Sequence, residues 1–267
     1  MSYLSPLLTM MVNAVKKATS NLDRDFSEIE RLQSSIRPYQ NFVTNAYNKT
    51  AQNLRIELGK VRPEAVFFEK DVSAIPATGS CFLVTPIDGL SNFSRGVALF
   101  ATTVAYCENG EVKAALVYNR ANDELYFAEK GNGAYKEGFR SHERLRVSTN
   151  KDENLALVAQ QVGYDANDKK FATAIQKTSL LGAKLRVLGT VSMSMAYTAS
   201  GKFDTAISRG NGFNSTVAGL LLVREAGGYV YNLDAADIAP DKLEHILSSA
   251  NVAATNNNME NLVKKLA

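Results

Sequence analysis

Residues 97–129 leave this chain little freedom. Three strand-like runs, at 97–106, 111–118 and 124–129, are separated by the short links Asn109-Gly110 and Arg120-Ala121-Asn122-Asp123. Asn-Gly between such runs is a strong hairpin signal, because the favoured two-residue turn needs positive φ at both central positions. Links this short cannot return a chain for parallel pairing, so an antiparallel meander is expected. Apolar runs at 65–69 and 81–85, separated by a loop with Ala77-Thr78-Gly79-Ser80, extend the expected antiparallel sheet across 65–147.

Two long helices are expected before it. Leu4, Leu7, Leu8, Met11, Val12 and Val15 form one helical stripe opened near Ser5-Pro6. A second helix is expected over 45–58, stopped by Gly59 and Pro63. From Ser148 the pattern alternates, with strands expected at 155–160, 185–188, 202–207, 229–231 and 245–250. Helices are expected at 168–181, 191–200 and 215–226, and a last one carries Met259, Leu262, Val263 and Leu266 on one face. The reading is a layered α/β (α+β) chain. Its halves, 1–147 and 148–267, form a single domain over 1–267, since no linker, repeat or low-complexity tract divides them.

Composition narrows the function. Hydrophobic residues make up 45% and charged residues 21% of the 267, which excludes intrinsic disorder. No apolar run approaches the roughly 20 residues that span a bilayer. The first fifteen residues lack a basic start and a small-residue cleavage site, so a cytoplasmic protein is expected. Two cysteines, Cys81 and Cys107, and two histidines, His142 and His245, argue against a disulfide framework or zinc site. The cysteines read as small buried hydrophobes. A net charge of +3 does not itself argue nucleic-acid binding.

The segment Thr85-Pro-Ile-Asp-Gly-Leu-Ser-Asn-Phe93 carries the chemistry. A strand feeds Asp88-Gly89, and Leu90 onward can open a helical turn whose backbone N–H groups face an anion. A carboxylate there could hold a hard cation beside that anion. Taken alone, the segment also reads as an ordinary Asp-Gly turn.

The segment resembles the Asp-Pro-(Ile/Leu)-Asp-Gly-Thr-(Thr/Ser)-Asn-Phe signature of the inositol monophosphatase family. Val217-Ala-Gly-Leu-Leu-Leu-Val-Arg-Glu-Ala-Gly-Gly228 is similar to the family's second signature, which normally begins Trp-Asp. Asn41–Asn45, Tyr118–Leu125, Ala128–Gly131 and Ala199–Asp204 resemble the bacterial SuhB-like branch in the same order. The resemblance implies an α-β-α-β-α sandwich, a homodimer, and Mg²⁺-dependent hydrolysis of a small phosphate monoester, inhibited by lithium. It also implies metal ligands at Glu69, Asp88 and the Ile87 carbonyl. The implied substrate or phosphate contacts are Gly89, Leu90, Ser91, Gly189, Thr190 and Ser208.

Several family positions have changed. The first signature Asp is Thr85, and the Thr after Gly, which helps activate water, is Leu90. Ser215 and Asn214 stand where the second signature has Asp and Trp. Lys70 replaces the second Glu of the pair at Glu69, Tyr47 replaces an Asp, and Ser208 stands for a Glu. The charge of the four principal ligand positions falls from about −4 to −2. Two carboxylates are a poor set for the paired cations of a two-metal mechanism. Two functions therefore compete. One is a weakened Mg²⁺-dependent phosphatase with one loosely held ion or none. The other is a non-catalytic protein that binds a transcription-machinery or RNA partner, for which Lys136, Arg140, Arg144, Arg146 and Lys151 form a candidate basic edge. That run also reads as a solvated hairpin edge.

Overall fold

The computed structural model describes residues 4–32, 40–72, 74–162, 169–241, 243–246, 249 and 251–267. Helix α1 (Pro6–Ala18) starts as its sequence predicts. The Ser5 side chain accepts from the Leu8 N–H, Pro6 occupies the first turn, and Leu8, Met11, Val12 and Val15 are buried. Helix α2 (Leu22–Leu32) was not expected. Helix α3 (Gln40–Val61) begins earlier than the expected residue 45.

Seven strands follow: β1 (Val66–Phe68), β2 (Ser80–Asp88), then, after the single turn α4 (Leu90–Phe93), β3 (Ala101–Glu108), β4 (Glu111–Asn119), β5 (Glu124–Glu129), β6 (Gly133–Lys136) and β7 (Glu143–Arg144). They lie in sequence order in one sheet. The meander is antiparallel from β2 to β7, and Asn109 and Gly110 take the expected positive φ, 51° and 80°. One expectation is corrected: β1 runs parallel to β2, because the loop at 69–79 carries the chain back to its starting end. The strand expected from residue 97 begins at Ala101. Asn92 Nδ2 donates to the Leu99 carbonyl at 2.7 Å and holds the preceding residues in a turn.

The second half supplies β8 (Leu157–Val162), α5 (Lys169–Leu180), β9 (Lys184–Arg186), α6 (Val191–Ala199), β10 (Thr205–Arg209), α7 (Phe213–Glu225), β11 (Tyr229–Asn232), α8 (Leu243–Ile246), β12 (Asn251–Thr255) and α9 (Glu260–Leu266). The strands form a mixed sheet of order β11-β12-β10-β8-β9. The strand expected at 245–250 is displaced: residues 243–246 are helical and the strand occupies 251–255. Positions 247, 248 and 250, and Asp168 at the expected start of α5, lie outside the described residues.

Five layers result. Helices α1 and α3 cover one face of the first sheet, α6 and α7 lie between the sheets, and α5 and α9 cover the second. The central pair packs closely: a Cβ added at Gly219 of α7 would lie 2.5 Å from the Met195 Cβ of α6. Both central helices start at the edge of β2 where Thr85 and Asp88 emerge, so the layering converges on that edge. Among the described residues no helix is long and apolar enough to cross a membrane.

Candidate functional site

The β2 strand ends in an irregularity, its pairing with β3 skipping from Thr85 to Asp88, so Pro86 and Ile87 leave the regular ladder. The Thr85 hydroxyl hydrogen-bonds the Ser215 hydroxyl in the first turn of α7, at 3.2 Å. Two positions 130 residues apart in sequence thus meet. They meet as hydroxyls, each occupying the other.

Asp88 is turned toward α6. Its Oδ2 accepts from the Thr190 hydroxyl at 2.6 Å, the Ser192 hydroxyl at 2.6 Å and the Ser192 N–H at 2.9 Å. Thr190 is the N-cap of α6, so Asp88 adds its charge where the helix dipole is positive. Burial raises the Asp88 carboxyl above the usual range, and the Ser192, Thr190 and Gly89 hydrogen bonds offset part of that rise. Gly89 follows at φ +81°, and an added Cβ would stand 3.1 Å from the Thr190 Cβ and 3.2 Å from the Gly189 and Leu99 carbonyl oxygens. Only glycine serves there. Leu90 and Ser91 are exposed on the turn.

The remaining expected residues lie around this edge. Gly189, at φ +76°, packs on the Asn92 amide, and its N–H donates to Gln161 Oε1 at 3.0 Å. Ser208 is fully buried in β10 and accepts from Asn211 Nδ2 at 3.0 Å. That same amide reaches the Gln161 carbonyl, which links Ser208 to the Gly189 turn indirectly. Glu69 is half-buried just after β1, and Lys70 beside it is exposed.

Three participants escaped the sequence reading. Asp71 Oδ1 accepts from the Asn214 N–H at 2.8 Å and so covers the start of α7. A carboxylate two residues beyond Glu69 was the available signal. Ser192 supplies two of the three donors to Asp88 Oδ2. Tyr47, noted only as a lost carboxylate, reaches the same edge. Burial, then the charges of Glu69 and Asp71, push its phenol up to about 12. Asn214 fastens this corner, its amide donating to the carbonyls of Phe68, Lys70 and Val84 at 3.0–3.3 Å. Among the described residues no group of three or more His, Cys, Asp or Glu is placed to hold a metal ion.

The quoted segments also meet away from the pocket. Glu225, near the end of α7, accepts from the Gly131 and Gly133 N–H groups, both at 2.9 Å, tying the second signature to the turn between β5 and β6. In the candidate basic edge, Lys136 pairs with Glu124 at 2.9 Å, while Arg140, Arg144, Arg146 and Lys151 are exposed.

Known proteins match this chain along most of its length. The chain is 37% identical over 229 residues to an inositol-1-monophosphatase of Rhizobium meliloti, covering 84% of this chain and 85% of the relative. It is 29% identical over 232 residues to the Nus factor SuhB of Escherichia coli, covering 84% of each. The crystal structure of the extragenic suppressor protein SuhB from Bartonella henselae superposes with a TM-score of 0.81 at 27% identity, covering 98% of this chain and 99% of that one. The pattern of the inositol monophosphatase family itself matches residues 3–267. A shared fold and a family match across nearly the whole sequence have one explanation: the chain belongs to the inositol monophosphatase family.

Proposed function

We propose that this single-domain chain (1–267) keeps the family scaffold but not an effective phosphatase centre. The observation that carries the reading is the hydroxyl pair Thr85–Ser215, standing where the family presents two carboxylates. The donor set does not fit a pair of Mg²⁺ ions. Magnesium takes hard oxygens in near-octahedral geometry, with one or two carboxylates per ion. Here one Asp88 oxygen is saturated by α6, one Asp71 oxygen is taken by α7, and Glu69 is followed in sequence by Lys70 instead of a second carboxylate. Leu90 brings no hydroxyl to the turn, so water activation loses a partner as well. Gly89, Leu90, Ser91, Gly189, Thr190 and Ser208 would then be scaffold around an unused phosphate cradle.

The test is phosphate release from inositol monophosphate at millimolar Mg²⁺. The expected turnover is below about 1 s⁻¹, under the range of ordinary enzymes. A turnover within that range, abolished by chelator, would overturn the reading.

A binding role is the second reading, and the relatives named Nus factor SuhB favour it. The chain would then act as a homodimer toward a transcription-machinery or RNA partner, with Arg140, Arg144, Arg146 and Lys151 on the contacting face. Charge reversal at Arg140 and Arg144 should weaken RNA retention and flatten its salt dependence. Unchanged retention would remove that face from consideration.

A further inference from the structure

Cys81 and Cys107 were expected to be isolated buried hydrophobes, and the sheet makes them a pair. Cys81 of β2 and Cys107 of β3 are direct partners in the antiparallel register. Both are free thiols, buried on the same face in the core between the sheets. Directly opposed residues in antiparallel strands have Cα atoms about 4.5 or 5.5 Å apart. A disulfide accepts Cα separations of about 4.4–6.8 Å. The backbone therefore already holds these thiols at bridging distance.

Their place in the ladder also matters. The Ser80–Glu108 pair is next and last in the register, and beyond it Gly79 and Asn109 bond each other in the turn region. On its other side, β3 shifts register against β4 between Tyr106 and Cys107. The pair thus sits near a ladder end and beside an irregularity, where local opening needs fewer broken contacts than in mid-sheet.

We propose that Cys81 and Cys107 form a modification site, a cross-strand dithiol that a hydroperoxide converts to an intramolecular disulfide. One thiolate attacks the peroxide O–O bond, giving a sulfenic acid and releasing the other oxygen as water or an alcohol. The second thiol then attacks the sulfenic sulfur, the S–S bond forms and its oxygen leaves as water. For hydrogen peroxide the sum is two thiols and one peroxide to one disulfide and two waters, the two electrons passing from sulfur to oxygen. Hydrogen peroxide is near water in size, which suits a buried pair. The loop so closed, residues 82–106, contains Thr85, Asp88 and the α4 turn, so the bridge would brace the strand that presents the candidate site.

The experiment treats the folded full-length protein with hydrogen peroxide, quenches, denatures, and labels with N-ethylmaleimide before intact-mass measurement. Untreated protein should take two labels. Treated protein should take none, lose about 2 Da, and recover both labels after dithiothreitol. Peptide mapping should join the segments holding residues 81 and 107, and the bridged form should melt higher than the reduced one. Cys81→Ala and Cys107→Ala serve as controls, in which the loss of about 2 Da and the joined peptides should both be absent, because a lone sulfenic acid adds oxygen and has no second thiol to close on. The inference fails if treated wild type still takes two labels while exposed Met10 is oxidised. It also fails if the bridge links two chains, or if labels are lost as higher oxides that dithiothreitol does not restore.

Discussion

Two helix starts flank the candidate site, and each meets a carboxylate differently. At α6 the cap is internal to the fold: Asp88 Oδ2 receives three donors, two of them hydroxyls from residues fully removed from solvent. At α7 the first position is preceded by Gly212, which has no side chain to offer, and Asp71 supplies the acceptor from an exposed loop. Both carboxylates stabilise a helix start, yet the energy at stake differs. A buried donor that loses its acceptor costs about 1–3 kcal/mol. An exposed cap is replaced by water, and its loss costs about 1 kcal/mol or less. On the proposed reading, the difference would let a carboxylate persist at Asp88 for its effect on the helix start.

The largest effect should come from removing the buried cap. Asp88→Ala leaves the Thr190 and Ser192 donors without their shared acceptor and should cost about 2–3 kcal/mol in urea unfolding. Asp88→Asn keeps one acceptor and should cost less. The carboxyl is held above its unfolded value, near 3.9, so its folded form binds the proton more tightly. Its contribution is therefore fully present below that unfolded value and declines as pH rises through the folded one. The advantage of wild type over Asp88→Asn should shrink across that window, and an advantage that grows with pH would contradict the assignment.

The exposed cap comes next. Asp71→Ala should cost about 1 kcal/mol. An added Cβ at Gly212 would fall 2.3 Å from Asp71 Oδ2, so Gly212→Ala must displace the same carboxylate. The two losses are one loss. The double variant should be no less stable than Asp71→Ala, and full additivity would show that Gly212 acts by some other route.

What the sequence disclosed follows from the range of each interaction. The hairpin at Asn109-Gly110 was legible because turn chemistry is local, and the stripe of α1 because its period is local. Helix α2 carried a signal that was passed over: Leu22, Phe26 and Ile29 recur at helical spacing, and Leu22 and Ile29 are buried. The parallel β1 was not legible, since three residues carry no direction of pairing. At the site, Thr85 meets Ser215 across 130 residues, a contact composition alone could not suggest. The engagement of Asp88 by Ser192 spans 104 residues and depends on where α6 begins, which no local pattern encodes. The cysteine pair was hidden for the same reason, because register exists only once the sheet does.

The smallest effect tests the proposed loss of charge at the pocket. Thr85→Asp with Ser215→Asp would place two carboxylates where hydroxyls now touch, so like-charge repulsion should lower stability without metal. If loss of charge is what removed the ions, Mg²⁺ should recover about 1 kcal/mol of that stability at five times its dissociation constant. Wild type should show no comparable rise, because its hydroxyl pair offers the ion no charge. Tyr47 sharpens the test. Its phenol lies in the field of Glu69 and Asp71, at a position where the resemblance implies a carboxylate, so adding Tyr47→Asp should deepen the Mg²⁺ response. Leu90→Thr should then be needed before any phosphate release appears, since it alone returns a hydroxyl to the turn after Gly89. Melting with and without Mg²⁺ separates the cases. An equal rise in wild type and in the double variant would mean that the native pocket already binds the ion, and the loss of the metal centre would have to be abandoned.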